Sequence, residues 1–485
     1  MSRTTLGALE SRTTKTRNSP LGVLRSLYTP LEAAGILIVL LLICVFCAAI
    51  ERRTAFRAPN PPMTDLEVYL RSAWAVRTGG DIYQVSDQND WHYVYPPPVA
   101  IAFFPLAAPP PGSPDWKGRY VPLGLSVAIW YFLSVAYVIF AVQALASAVE
   151  RRSRIIVFPP KPPDEKRQYW TLRLLPVIVA LPAIMTSLNR GQMESLTLLL
   201  LAMCVLAATR GRQWRAGLWL GAAICIKLLP ALLILYPLWR RQWRFVAGCA
   251  AAVVIGLLIV PSLVFGPLRT AEYYHEYAKV MVLPSLGWGG DDSRRDELLR
   301  LNGGDGESIM TSLHNVMFSQ LPRDQRPQEP NAAVRGLSLV IGIGLLSATL
   351  WAAGRARRDS GIPATLFFGL LILDLLLITP KSHSHYYCLI VPLVMGIVAA
   401  EWKRYGPPHI GWPALTVFAI YFCIDFAARL GQFDYALRDL GIPTLAALML
   451  WMLGTACLAR LRPRFARAPA TLDLPPDMIL AVSHE

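Results

Sequence analysis

The sequence predicts an all-α polytopic membrane protein with about 12 membrane segments and two long extracytoplasmic loops. Three observations carry this expectation. The 485-residue chain is 54% hydrophobic and only 16% charged, far more apolar than a soluble domain of its size. Its apolar residues fall in runs, many near the ~20 residues needed to cross a bilayer. These are 31–50, 121–147, 172–188, 193–209, 216–226, 228–239, 245–265, 333–353, 361–379, 386–400, 411–430 and 441–459. Basic residues gather between the runs, at Arg151/Arg152/Arg154 with Lys161, Lys166 and Arg167, then Arg210/Arg212/Arg215, Arg240/Arg241/Arg244, Arg355/Arg357/Arg358, Lys403/Arg404 and Arg460/Arg462/Arg464/Arg467. Short basic loops face the cytoplasm. The net charge of +15 therefore reads as a topology signal, and no nucleic-acid partner is expected.

Taken in chain order, residues 1–30 are polar and basic and read as a cytoplasmic tail. The run 31–50 is too long for a signal-peptide core, although Cys47-Ala48-Ala49 imitates a cleavage site; it reads as an uncleaved first span. The transmembrane domain then extends over 31–460, with 461–485 as a second cytoplasmic tail. Keeping every basic loop inside requires 216–226 and 228–239 to form two crossings or a re-entrant hairpin, turning at Lys227 on the outer side. A single helix there would invert everything that follows. With the hairpin, segments 51–120, 189–192, 266–332, 380–385 and 431–440 lie outside, which describes a multi-pass protein of the cell (inner) membrane.

In the first long loop, Leu66, Tyr69, Leu70, Ala73 and Trp74 have helical spacing and predict an interfacial helix with Thr64 or Asp65 near its start. The stretch 100–108, bounded by Pro96-Pro97-Pro98 and Pro109-Pro110-Pro111, is too short to cross and is expected to lie in or dip from the interface. Trp74, Tyr83, Trp91, Tyr93 and Tyr95, and later Tyr273, Tyr274, Tyr277 and Trp288, are of the type that sits at membrane–water boundaries. The eight cysteines lie in or beside apolar runs without paired CxxC spacing, so they read as small buried hydrophobes, not as zinc ligands or a disulfide framework.

Polar residues favour the outer face. His92, His275, His314, His383 and His385 fall there, as do Asp65, Glu67, Asp81, Asn189, Gln192, Glu194, Lys227, Glu272, Asn315 and Lys381. One aqueous site at the outer boundary accounts for this; so does the tendency of long loops to hold more of every residue type. Asp65 reads either as a helix N-cap or as a general base that takes a proton from an acceptor hydroxyl. Lys227 interrupts apolar sequence, where a charge needs a cavity or partner. It either snorkels to the interface or holds a phosphate as a point charge. Asp374 has no local partner and is a functional candidate, whereas Asp425 and Arg429 have the i,i+4 spacing of a local ion pair. His383-Ser384-His385 supplies two imidazoles without a clear third ligand, so no metal is expected.

Several strings resemble a known family in order and in side of the membrane. They are Asp65-x3-Tyr69, Gly79-Gly80-Asp81-Ile82-Tyr83, Tyr95-Pro96-Pro97 with Pro105-Leu106, Asn189-x-Gly191-Gln192, Gly217-x3-Gly221-x5-Lys227-x2-Pro230 and His385-Tyr386. Together they resemble glycosyltransferase family 87 from about Asp65 to Tyr387, most of the chain. The resemblance implies a GT-C-like fold and an inverting transfer of a sugar from polyprenyl phosphate, a hexose (mannose) in many members and the pentose arabinofuranose in some relatives. The acceptor would be a lipid or glycan on the outer face, and no cofactor is called for. The absence of a DxD motif suits a lipid-linked donor. By resemblance Asp65 becomes the general base, and Lys227, His385 and Lys381 are expected to hold the donor phosphate. Tyr69, Tyr83, Tyr95, Asn189, Gln192, His314, Asn315, His383 and Asp374 are expected to line the substrate site. The doubled His383/His385 is a departure that leaves two imidazoles for one family position. The rival class is a transporter or flippase for a lipid-linked or anionic solute; the missing internal repeat weighs against it. A non-catalytic membrane subunit of an envelope assembly is a third reading.

Overall fold

The computed structural model describes residues 64–87, 90–110, 120–151, 162–286, 300–301, 306–354, 361–430 and 434–462. The expected first tail, the first span at 31–50 and nearly all of the last tail lie outside the described residues. Among the described residues the chain is helical, with only two isolated extended bridges, Ser86 to His92 and Gly306 to His383. Helices α1 (Thr64–Thr78) and α2 (Pro97–Ala102) precede α3 (Leu123–Val149), the bent pair α4 (Pro163–Val179) and α5 (Leu181–Arg190), and α6 (Glu194–Thr209). Then come α7 (Gln213–Ile226), α8 (Leu229–Trp239), α9 (Trp243–Phe265), α10 (Pro267–Tyr277) and α11 (Ile309–Met317). The chain continues through α12 (Ala332–Ala353), α13 (Gly361–Ile378), α14 (Ser384–Tyr405), α15 (Trp412–Ala427), α16 (Asp434–Asp439) and α17 (Ile442–Leu461).

Among the described residues six helices, α3, α9, α12, α13, α14 and α17, are long and apolar enough to cross a membrane. The α4–α5 pair, bent by 62°, makes a seventh if counted as one broken span, and α6, α8 and α15 are shorter apolar helices. The protein is thus multi-pass. The bend has a local cause: Pro182 in the first turn of α5 has no N–H for the preceding helix to use. Burial ranks the spans. α14 and α13 are 94% and 83% buried and form the centre of the bundle, while α9 is only 17% buried and faces outward with Val254, Ile255, Leu258 and Ile259.

Glycines set the closest contacts. A Cβ at Gly369 would lie 2.4 Å from the Leu393 amide nitrogen, so α13 and α14 meet backbone to backbone. In the same way a Cβ at Gly217 would lie 2.1 Å from the Phe245 carbonyl oxygen, and one at Gly248 2.4 Å from that of Trp214. The Gly217-x3-Gly221 string is therefore a packing stripe that presses α7 onto α9 and fixes where α7 ends, at Lys227. Gly217→Ala should force the two helices apart and cost about 1–3 kcal/mol, the usual range for overpacking. A fall in melting temperature in detergent, read by size-exclusion chromatography, checks this; an unchanged melting point would contradict the packing role.

Lys227 breaks the helix with an extended backbone, φ −151 and ψ 131, and α8 runs back. Residues 211–215 and 241–244 line one cavity, so the two basic loops meet at the end of the hairpin away from Lys227. Cysteines at exposed Gln84 and Gln320 should react with an impermeant thiol reagent in intact cells, and cysteines at exposed Arg151 and Arg404 only after permeabilisation, on a background lacking exposed Cys423. Labelling of Gln320 from inside alone would overturn the hairpin topology.

The first loop folds as a packed layer. Leu66, Tyr69, Leu70, Ile82, Tyr83, Tyr93 and Tyr95 share a core with Trp130 of α3 and with Tyr273 and Tyr277 of α10. The interfacial reading of these aromatics needs correction: Tyr83, Tyr93, Tyr95, Tyr273 and Tyr277 are buried against one another, while Trp91 is exposed. Edge-to-face and tilted ring contacts secure α1 over the ends of α3 and α10.

Candidate active site

Asp65 stands in the first turn of α1, where a carboxylate is favoured by the helix dipole. Its Oδ2 accepts from Arg190 Nε at 3.0 Å. Arg190 ends α5, and Gly191 follows in the left-handed region at φ 68, which closes the helix and turns the chain. Trp130 Nε1 holds that turn by donating to the Gly191 carbonyl oxygen at 2.9 Å. Gln192 is thereby directed inward, and its Oε1 accepts from both Tyr69 Oη and Tyr95 Oη, each at 3.0 Å. The Asn189-x-Gly191-Gln192 string thus works as a helix stop that delivers Gln192 to the tyrosines of the first loop.

Two residues on, Glu194 opens α6. Its Oε1 lies 2.9 Å from Lys227 Nζ and 3.8 Å from His385 Nε2. The Lys227 ammonium sits 3.8 Å from the centre of the Tyr386 ring and 5.6 Å from that of Tyr95, a cation–π enclosure. The His385 ring is 4.5 Å from Tyr386 and stacks on His383 at 5.4 Å. His385 is the imidazole buried beside Glu194, and His383 covers it from the outside. Four stretches distant in sequence thus converge, with 65–95, 190–194, Lys227 and 385–386 on one site. Tyr95 and Tyr386 each interact electrostatically with Asp65, Glu194 and Lys227, which places both carboxylates and the lysine within reach of the same rings.

Burial pushes the Tyr69 phenol well above its ordinary range, with Tyr95, Asp65 and Glu194 adding to the shift. Burial does the same to Tyr95, partly offset by the Lys227 ammonium. Both phenols therefore stay protonated and act as donors, as their bonds to Gln192 require. The proton acceptors in the cluster are the carboxylates and the His383 and His385 imidazoles. Asp65 is 25% exposed and Glu194 3%, so Asp65 is the more accessible of these two carboxylates and Glu194 is enclosed and paired with Lys227.

The remaining expected site residues are dispersed. Tyr83 is buried in the aromatic core and donates to the Tyr95 carbonyl oxygen at 3.0 Å, a support for Tyr95. Asn189 is exposed on α5, and Lys381 is half-buried ahead of α14. His314 and Asn315 are buried in α11, where His314 Nε2 pairs with the Pro327 carbonyl oxygen at 2.8 Å; burial lowers its pKa. Asp374 is fully enclosed on α13 with Thr349 of α12 and Trp451 of α17 as polar neighbours, which is helix packing and not the outer cluster. Asp425 and Arg429 form the expected local pair. Arg429 does more: it donates to Thr186 Oγ1 at 2.8 Å and to the Ser384 carbonyl oxygen at 3.0 Å, tying α5 to the residue before His385. Among the described residues no group of three His, Cys, Asp or Glu side chains is spaced for a metal ion.

Arg190, Glu194 and Tyr386 stand in the cluster without having been assigned roles from sequence. A signal existed for Glu194. Glu194 and Lys227 are lone opposite charges at the ends of neighbouring apolar runs, and each needs a partner there. Arg190 occupies the unspecified position of the Asn189-x-Gly191-Gln192 string, where nothing singled it out.

Residues 93–380 match glycosyltransferase family 87. That span holds Tyr95, Gln192, Glu194 and Lys227, while Asp65, Tyr69 and His385 flank it. A polyprenol-phosphate-mannose-dependent alpha-(1-2)-phosphatidylinositol pentamannoside mannosyltransferase of Mycolicibacterium smegmatis is 25% identical over 378 residues, 75% of this chain and 77% of the relative. A polyprenol-phosphate-mannose-dependent alpha-(1-2)-phosphatidylinositol mannoside mannosyltransferase of Mycobacterium tuberculosis is 25% identical over 71% of this chain and 72% of its own. An alpha-(1->3)-arabinofuranosyltransferase of Mycobacterium tuberculosis is 26% identical over 43% of this chain and 44% of its own. The match covers more than half of the sequence, including the strings at 189–192 and 217–230, and the chain belongs to glycosyltransferase family 87.

Proposed function

We propose that the protein transfers a hexose, mannose, from polyprenyl phosphate to a lipid or glycan acceptor at the extracytoplasmic face, with inversion at the anomeric carbon. The observation that carries the reading is the part-exposed carboxylate of Asp65, set beside the buried Glu194–Lys227–His385–Tyr386 group. The acceptor oxygen forms a bond to the anomeric carbon, and the bond from that carbon to the phosphate oxygen breaks. The acceptor proton passes to Asp65, and polyprenyl phosphate leaves with the electron pair. Of Asp65 and Glu194 only Asp65 is part-exposed, which suits a single displacement and therefore inversion. Lys227, the half-buried Lys381 and His385 hold the donor phosphate, and Glu194 positions Lys227. Tyr69, Tyr95 and Gln192 orient the sugar, with Asn189 and His383 at the rim.

The fuller twelve-crossing topology belongs to the same proposal, with the hairpin turning at Lys227 on the outer side. Transport is the weaker reading. The cluster joins helix ends and the first loop, whereas a transport site is built near the bilayer midplane between repeats. Membranes lacking the chain and membranes carrying it should be incubated with radiolabelled polyprenyl-phosphate-mannose. Label should enter a glycolipid or glycan only when the chain is present. Equal incorporation in both would end the proposal.

A further inference from the structure

Four arginines surround one open cavity of ≈ 750 Å³ at the end of the α7–α8 hairpin remote from Lys227. Arg212, Trp214 and Arg215 come from the start of α7, and Arg241, Trp243 and Arg244 from the start of α9. No carboxylate lines it, and among the described residues none of the four guanidinium groups forms an ion pair. The four guanidinium groups are exposed and of one sign, so they make a positive potential that attracts an anion to this space. α7 and α9 both begin here without a side-chain cap, which turns two positive helix ends toward the same space. Trp214 and Trp243 are 49% and 65% exposed, amphipathic rings at the polar end of a helix whose apolar face looks outward.

We infer that this cavity binds the phosphate headgroup of an anionic phospholipid, its acyl chains lying along the outward face of α9. Arginine forks suit phosphate oxygens in paired hydrogen bonds, tryptophans suit the glycerol and carbonyl level, and the apolar face of α9 suits the chains. Basic pockets between membrane helices recognise anionic headgroups by this chemistry. The site is separate from the donor site. α7 has 14 residues, so ~20 Å of helix lies between the cavity and Lys227. A lipid seated here clamps the starts of α7 and α9 together, and through their glycine contacts it steadies the helix end that carries Lys227.

The test uses the full chain, purified and exchanged into nanodiscs holding equal amounts of phosphatidylglycerol and phosphatidylcholine, with retained lipid counted by native mass spectrometry. The wild type should retain phosphatidylglycerol in clear preference. A variant with Arg212→Gln, Arg215→Gln, Arg241→Gln and Arg244→Gln should retain it at least tenfold less, because the charge-assisted hydrogen bonds to phosphate are lost. Equal retention of the two lipids by wild type, or unchanged phosphatidylglycerol retention in the Gln variant, overturns the inference. These loops also orient the chain, so the same four positions changed to Lys provide a variant that keeps charge and insertion. Retention reduced severalfold in the Lys variant supports the arginine forks, and retention equal to wild type overturns them.

Discussion

Asp65→Asn should fold, insert and bind donor normally while transferring sugar ~100- to 10,000-fold more slowly, the range typical of lost general-base assistance. The structure separates this from a stability effect. Asparagine keeps the size of the side chain and serves equally well at the start of a helix. The bond to Arg190 weakens, but that pair is part-exposed, at 32% and 25%, and such pairs contribute about 0–1 kcal/mol. Tyr69 and Tyr95 reach Gln192 whether or not Asp65 carries a charge. Melting temperature, donor binding and turnover measured on one preparation check the expectation. Turnover within a few-fold of wild type would remove Asp65 as the base. Glu194, the other carboxylate of the cluster, would then be the next to examine.

The second large effect concerns Lys227. From sequence, Lys227→Met reads as a variant that folds well and binds donor weakly. The ion pair changes that expectation. Glu194 is buried, and removing its partner strands a charge, which costs about 3–5 kcal/mol. Lys227→Met should therefore be strongly destabilised as well as defective in donor binding. Lys227→Met with Glu194→Gln removes both charges and should regain most of the stability. Donor affinity in the double variant then assigns the role of the lysine. Affinity that stays low while stability returns identifies Lys227 as a phosphate ligand. Affinity that returns with stability shows that Lys227 serves only to neutralise Glu194.

What could be read from sequence follows the strength of each local signal. Apolar runs marked α3, α6 to α9, α12 to α15 and α17 to within a few residues, because desolvation of a long apolar run overrides finer preferences, whereas α10, α11 and α16 lie in segments read as outer loops. The spacing of Leu66, Tyr69, Leu70, Ala73 and Trp74 gave α1 for the same reason. The 62° break between α4 and α5 was not anticipated, although Pro182 supplies the cause. Partnerships across the fold were the harder part. Asp425 and Arg429 were legible because both members lie on one helix turn. Glu194 and Lys227 are 33 residues apart, and Arg190 and Asp65 are 125 apart, so only packing reveals them. Asp374 looked isolated because its polar neighbours, Thr349 and Trp451, belong to two other helices.

The central claim is that this site moves a hexose from polyprenyl phosphate onto an acceptor hydroxyl. Its most direct measurement uses purified wild-type protein, radiolabelled polyprenyl-phosphate-mannose of β configuration and a membrane lipid extract, with product and released polyprenyl phosphate quantified together. The predicted result is one polyprenyl phosphate released for each mannose transferred, an α linkage in the product and product formation slowed ~100- to 10,000-fold in Asp65→Asn. Label that remains on polyprenyl phosphate while the labelled lipid changes leaflet would contradict the claim and favour transport.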